Sequence, residues 1–92
     1  MVLLVSSAIK FRLKDSSYHH IICGRRHSEI LDLMRKYHID YDKETMEQGF
    51  MTSEDKFVDR RMAVYVARAT GQVSFDFDKD YLFSEDIWPA DS

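Results

Sequence analysis

The sequence predicts an α+β fold, a small antiparallel sheet carrying two main helices. Three observations predict it: a strictly alternating apolar stretch near the start, two later stretches whose apolar residues recur at helical spacing, and clusters of turn formers between them. Ninety-two residues, 45% hydrophobic and 13% aromatic, suit one ligand-binding domain over residues 1–92, with a modest core that benefits from a partner subunit.

In "AIKFRLK", Ile9, Phe11 and Leu13 fall on one face and Lys10, Arg12 and Lys14 on the other, the period of a half-buried strand. The preceding "MVLLVSSAI" resembles the apolar part of a secretion signal. It lacks a basic leader, its apolar run is short, and it passes straight into the alternation, so a strand is expected. "KDSS" supplies turn formers and "YHHIIC" resumes an extended pattern, which predicts a hairpin over residues 2–23, ended by Gly24.

"RRHSEILDLMRKYHID" changes period. Ile30, Leu31, Met34 and Tyr37 share a helical stripe, Ser28 is expected to cap, Glu29 and Asp32 suit the first turn, and Arg35, Lys36 and His38 suit the last. "YDKETMEQGFMTSEDKF" is polar, and Met46, Phe50 and Met51 around Gly49 suggest a short strand or ordered loop. In "FVDRRMAVYVARATG", Asp59 stands where a cap belongs, Gly71 where a terminator belongs, and Ala63, Val66, Ala67 and Thr70 form a small-residue stripe. Phe75 and Phe77 then alternate with Asp76 and Asp78, which predicts a further strand before an irregular tail.

Thirteen Lys and Arg against sixteen Asp and Glu give a net charge of −3, which argues against DNA, RNA or an anionic membrane as partner. No stretch is long enough to span a bilayer. The single cysteine, Cys23, cannot form an internal disulfide, fits a reducing cytoplasm and reads as a small buried apolar residue.

Two arginine doublets open the two helices: Arg25 and Arg26 before the first, Arg60 and Arg61 in the first turn of the second. A helix amino end already carries roughly +0.5 of a charge, so cations there are disfavoured by up to ~1 kcal/mol each. Solvated arginines balanced by Glu29, Glu54 or Asp55 would account for either doublet alone. Two such sites together point to a phosphate or pyrophosphate, whose oxygens match both unpaired helix N–H groups and guanidinium forks. Phe50, next to Gly49, is a candidate to stack on a base, with core packing as the alternative.

Other chemistries fit less well. His19, His20, His27 and His38 lack metal-ligand spacing. "DFDKD" imitates the start of a calcium loop, but Tyr81 stands where that loop needs glycine and Ile87 where it needs glutamate. A triad of Ser28, His27 and Asp32 has no nucleophile elbow. No metal, cofactor or catalytic residue is expected.

The motifs "GRRH", "QGF", "FVDRRMA", "ATGQ" and "LFSEDIW", in this order, resemble the phage Thoeris anti-defence protein one family over about Ile21 to Trp88. The resemblance implies a non-enzymatic sponge in the host bacterial cytoplasm, which captures the glycocyclic ADP-ribose type of immune signal as a homodimer or higher homo-oligomer. Some members also sequester cyclic oligonucleotides, the CBASS signals, at a separate site. Carried onto this chain, it implies a pocket lined by Arg26, His27, Phe50, Asp59 and Arg60, with Arg25 beside them. It assigns no role to Ser84, Glu85 and Asp86. Arg61 and Met62 depart from the acidic or polar residues usual after that arginine, which leaves the preferred nucleotide open.

The expected function is therefore sequestration without cleavage. A nucleotide-processing enzyme would need His27 as its base. A direct inhibitor of a host defence protein would use Trp88 and Phe83, and the pair Trp88–Pro89 could anchor a neighbouring subunit.

Overall fold

The alternation around Ile9 becomes the central feature of the computed structural model, which describes residues 1–88. Strand β1 (Leu4–Leu13) pairs antiparallel with β2 (His19–Gly24) on one side and with β3 (Tyr41–Thr52) on the other, and β4 (Phe57–Asp59) closes the order β2-β1-β3-β4. Helix α1 (His27–Lys36) follows β2, α2 (Arg60–Thr70) follows β4, and a single turn, α3 (Ser84–Ile87), ends the described chain. The fold is α+β, as predicted.

Strand β1 is irregular twice. Leu4 pairs with Thr52 but Ser6 with Met51, so the extra residue at Val5 reverses which side chains face inward. That shift turns Leu4 toward the core under α2 and Ile9 and Phe11 toward the core under α1. At the second irregularity, between Lys10 and Arg12, the ladder skips residues of β3, and the Thr45 hydroxyl accepts the Arg12 N–H at 3.0 Å in place of a ladder carbonyl.

The stretch predicted as a short strand or ordered loop is instead the twelve-residue β3. Its composition favours no strand, but it is paired by β1 on one edge and by β4 on the other, and ladder pairing overrides weak local preference. Gly49 makes the second pairing possible: a Cβ there would lie 2.2 Å from the Val58 carbonyl oxygen and 2.6 Å from Phe57 Cζ.

The two helices cover adjoining halves of the sheet. Ile30 and Met34 of α1 pack on Ile9 and Phe11, while Ala63, Val64 and Ala67 of α2 pack on Leu4, Phe50, Val73 and Leu82. The predicted stripe of α2 holds, with Asp59 Oδ1 accepting the Met62 N–H at 2.8 Å and Gly71 closing the helix at φ 77°. In α1 the expected cap does not hold. Ser28 is an exposed helical residue, and the helix starts at His27, with Arg26 at the cap position and no bond from the cap side chain.

Two further expectations are corrected. Phe75 and Phe77 do not alternate in a strand: the Phe77 N–H bonds the Ser74 carbonyl in a turn, Phe77 packs on the core and Phe75 is exposed. Cys23 is exposed rather than buried. The Gln72 amide does what a strand residue would, giving and receiving bonds of 2.9 Å with the backbone of Leu4. Among the described residues no helix is long and apolar enough to cross a membrane. Trp88 is half-buried against Phe50, at 6.1 Å between ring centres, whereas Pro89 lies outside the described residues.

Candidate functional site at the amino ends of the helices

Arg26 of the first arginine doublet and both members of the second, Arg60 and Arg61, meet one short segment, residues 81–84. Leu82 is fully buried and its N–H bonds the Arg60 carbonyl at 3.1 Å, which holds this segment across the amino end of α2. Ser84 is also buried, and its side chain reaches α1.

Around Ser84 the polar groups are closely accounted for. His27 Nε2 lies 2.7 Å from the Gly49 carbonyl, which can only accept, so that nitrogen carries the proton. In the neutral ring Nδ1 is then the acceptor, and the Ser84 hydroxyl donates to it at 2.8 Å. Ser84 Oγ in turn receives the Ser7 hydroxyl at 2.9 Å and the His27 N–H at 3.4 Å, so the orphan donor at the start of α1 is met by a side chain 57 positions away. Arg26 Nη1 donates to the Ser84 carbonyl at 3.4 Å. Burial holds the His27 pKa below its ordinary value, with Arg60 adding to the shift against the Gly49 carbonyl and Glu85.

These contacts change the reading of four predicted site residues. Arg26 and His27 are 8% and 6% exposed and face the protein interior. Phe50 is fully buried, edge-on to the His27 ring at 5.2 Å, and has no open face for a base. Core packing explains it, since the cross-strand partners Ser7 and Val58 flank it. Arg25 is exposed and lines a separate depression with Val5, Gly24 and Trp88. His27, with both ring nitrogens engaged, is not placed to act as a base on a ligand.

Arg60 and Asp59 do line a cleft, of about 610 Å³, together with Arg61, Gln48, Glu47 and Tyr81. Arg60 Nη2 donates to Gln48 Oε1, its Nε is buried without a partner, and the guanidinium lies 4.7 Å from the centre of the Phe83 ring. Burial lowers the Arg60 pKa and Glu85 opposes that shift; a guanidinium stays charged at neutral pH regardless. Arg61 lies 5.4 Å from the Tyr81 ring and donates to Tyr81 Oη at 3.1 Å, a bond that raises its pKa. Each guanidinium lies beside an aromatic ring, and the N–H groups not given to Gln48 or Tyr81 or buried at Nε are the donors available to an anion. Among the described residues, Arg26, Arg60 and Arg61 take part in none of the ion pairs.

Arg26, Arg60 and Arg61 are therefore brought to one segment, but the two doublets do not share a cavity. Sequence reasoning missed Gln48, Tyr81 and Ser84. The motifs "QGF" and "LFSEDIW" contain Gln48 and Ser84 but not Tyr81, and no local signal assigns the three a role because their contacts cross 12, 20 and 57 positions. Asp86, also without a predicted role, accepts from Phe83 N–H at 2.9 Å and Lys79 Nζ at 2.8 Å and so shapes the same segment. No three His, Cys, Asp or Glu side chains among the described residues converge on a metal position.

No curated protein and no solved structure matches the chain. A family model described as Phage T4 y16D protein matches residues 3–88, a span that includes the whole sheet, all three helices and every residue of the arginine cleft. The chain belongs to this family of phage proteins.

Proposed function

We propose that this phage protein binds and holds a diphosphate-bearing nucleotide signal of the cyclic ADP-ribose type in the host cytoplasm, without cleaving it. The observation that carries the reading is the cleft at the amino end of α2, where Arg60 and Arg61 stand together on a helix start with no carboxylate ion-paired to either among the described residues. Their in-plane donors and the helix N–H groups suit diphosphate oxygens. Tyr81 takes the aromatic role that the buried Phe50 cannot, and the carboxylates of Glu47 and Asp59 on the same wall suit ribose hydroxyls.

Holding a ligand needs complementarity to its ground state only. The resemblance to the Thoeris sponges supports this direction, and with it a homodimer or larger homo-oligomer, which light scattering on the purified protein checks. Calorimetry against cyclic ADP-ribose isomers is expected to show saturable binding. Heating the complex is expected to return the ligand intact. Arg60→Gln and Arg61→Gln should each weaken binding roughly tenfold or more, the worth of a charge-assisted hydrogen bond of about 1.5–3 kcal/mol. No binding by the wild type, or turnover of the ligand, would overturn the proposal.

A second reading, direct contact with a host defence protein, draws on the exposed Met62, Tyr65 and Phe75. Phe83, expected for this role, is also exposed although its ring meets Arg60, whereas Trp88 packs on Phe50.

A further inference from the structure

A second concavity adjoins the arginine cleft. It measures about 280 Å³ and is lined by Arg61, Val64, Tyr65, Arg68, Lys79 and Asp80. Arg61 belongs to both hollows, and Asp80 of one is the chain neighbour of Tyr81 of the other, so the hydrogen-bonded Arg61–Tyr81 pair forms a ridge between them. Arg61, Tyr65 and Arg68 follow one another at i, i+4 and i+7 on α2. That spacing puts the Arg68 backbone about 10 Å beyond that of Arg61 along the axis.

Three cations thus face a hollow lined by one carboxylate. Arg68 is anchored by Nη2 on the Phe77 carbonyl while its Nε is buried without a partner. Lys79 is held by Asp86 at 2.8 Å and lies 5.8 Å from the Phe77 ring centre. The charges are positioned by packing rather than left to wander, and ordered donors lose less entropy on meeting an anion. Arg68 lines the second hollow and Arg60 does not, so a diphosphate seated on Arg60 in the cleft leaves the cations of the second hollow without an anion.

We propose that the ligand carries a second anionic group besides its diphosphate: an ADP-ribose-type nucleotide with an additional phosphate on a ribose, the diphosphate on Arg60 and Arg61 and the extra phosphate beyond the ridge against Arg68 and Lys79. This inference rests on the diphosphate reading of the cleft. It names the chemical feature that distinguishes the preferred ligand from its unphosphorylated counterpart.

The test compares ADP-ribose with ADP-ribose 2′-phosphate by calorimetry on the full chain, which differ by that one phosphate. Tighter binding of the phosphorylated probe by about tenfold or more is expected, from the worth of one charge-assisted contact. Arg68→Gln and Lys79→Gln should each bring the ratio of the two affinities toward one, a readout that cancels any change Lys79→Gln transmits through Asp86 to both probes alike; Lys79→Gln, at an exposed side chain, guards against a folding defect at Arg68. Equal binding of the two probes overturns the second site while leaving the cleft reading intact. So does a preference that both variants keep. Binding of neither probe overturns the second site; failure to bind the cyclic ADP-ribose isomers as well overturns both.

Discussion

Ser84→Ala should cost this protein about 2 kcal/mol of stability although it removes a single oxygen atom. Ser84 is 1% exposed, and its hydroxyl stands between His27 Nδ1 at 2.8 Å and Ser7 Oγ at 2.9 Å. With that oxygen gone, Ser7 has somewhere to turn, because the Arg25 carbonyl already lies 3.1 Å from its hydroxyl. His27 Nδ1 has no such recourse: Nε2 is committed to the Gly49 carbonyl, and the ring is clamped edge-on against Phe50. A buried acceptor left without a donor costs about 1–3 kcal/mol, and the cavity from one oxygen adds little. For a domain of this size ~2 kcal/mol corresponds to roughly 8–16 °C in Tm. Urea melts at pH 7.5, followed by the emission of Trp88, the single tryptophan, and by far-ultraviolet circular dichroism, give the number directly. Ser7→Ala serves as the control, since it leaves the donor to Nδ1 in place, and should cost less than Ser84→Ala. A loss below about 0.5 kcal/mol in Ser84→Ala would refute the assignment of tautomer and donor on which the reasoning stands.

Further predictions test other joints of the fold. Burial lowers the His27 pKa below 6.5, so the unfolded chain takes up that proton first as pH falls. Stability attributable to His27 is therefore complete above pH 6.5 and declines as pH drops through the folded-state value; urea melts between pH 7.5 and 5 should show a steeper decline for wild type than for His27→Gln. Gly49→Ala should destabilise by about 3 kcal/mol, because its Cβ would lie 2.2 Å from the Val58 carbonyl oxygen and β4 must move to admit it, as thermal melts would register. Gln72→Ala strips both partners from the Leu4 backbone and should cost about 2 kcal/mol, with faster amide hydrogen exchange at Leu4 as the local sign.

By itself the sequence determined the elements whose causes are local. The alternation of Ile9, Phe11 and Leu13, the turn formers after it, and the helix from an aspartate cap at Asp59 to a left-handed Gly71 all act within a few residues, and all are present. It also drew attention to the doublet Arg60 and Arg61, because charge at a helix start is visible in the order of residues, whereas Asp59 read only as a cap and entered the pocket through the family resemblance. Only the tertiary structure decided what long-range pairing and burial control. A polar stretch around Thr45 became a twelve-residue strand because β1 and β4 offered it ladders on both edges. Phe50, for which base stacking and core packing both stood open, and His27, expected to line a pocket, went inside because Val58, Ser7 and Ser84 close over them from sites as many as 57 positions distant. The division has a physical reason: periodicity and caps are properties of neighbouring residues, whereas which surface of a side chain meets water is settled by the partner that packs against it.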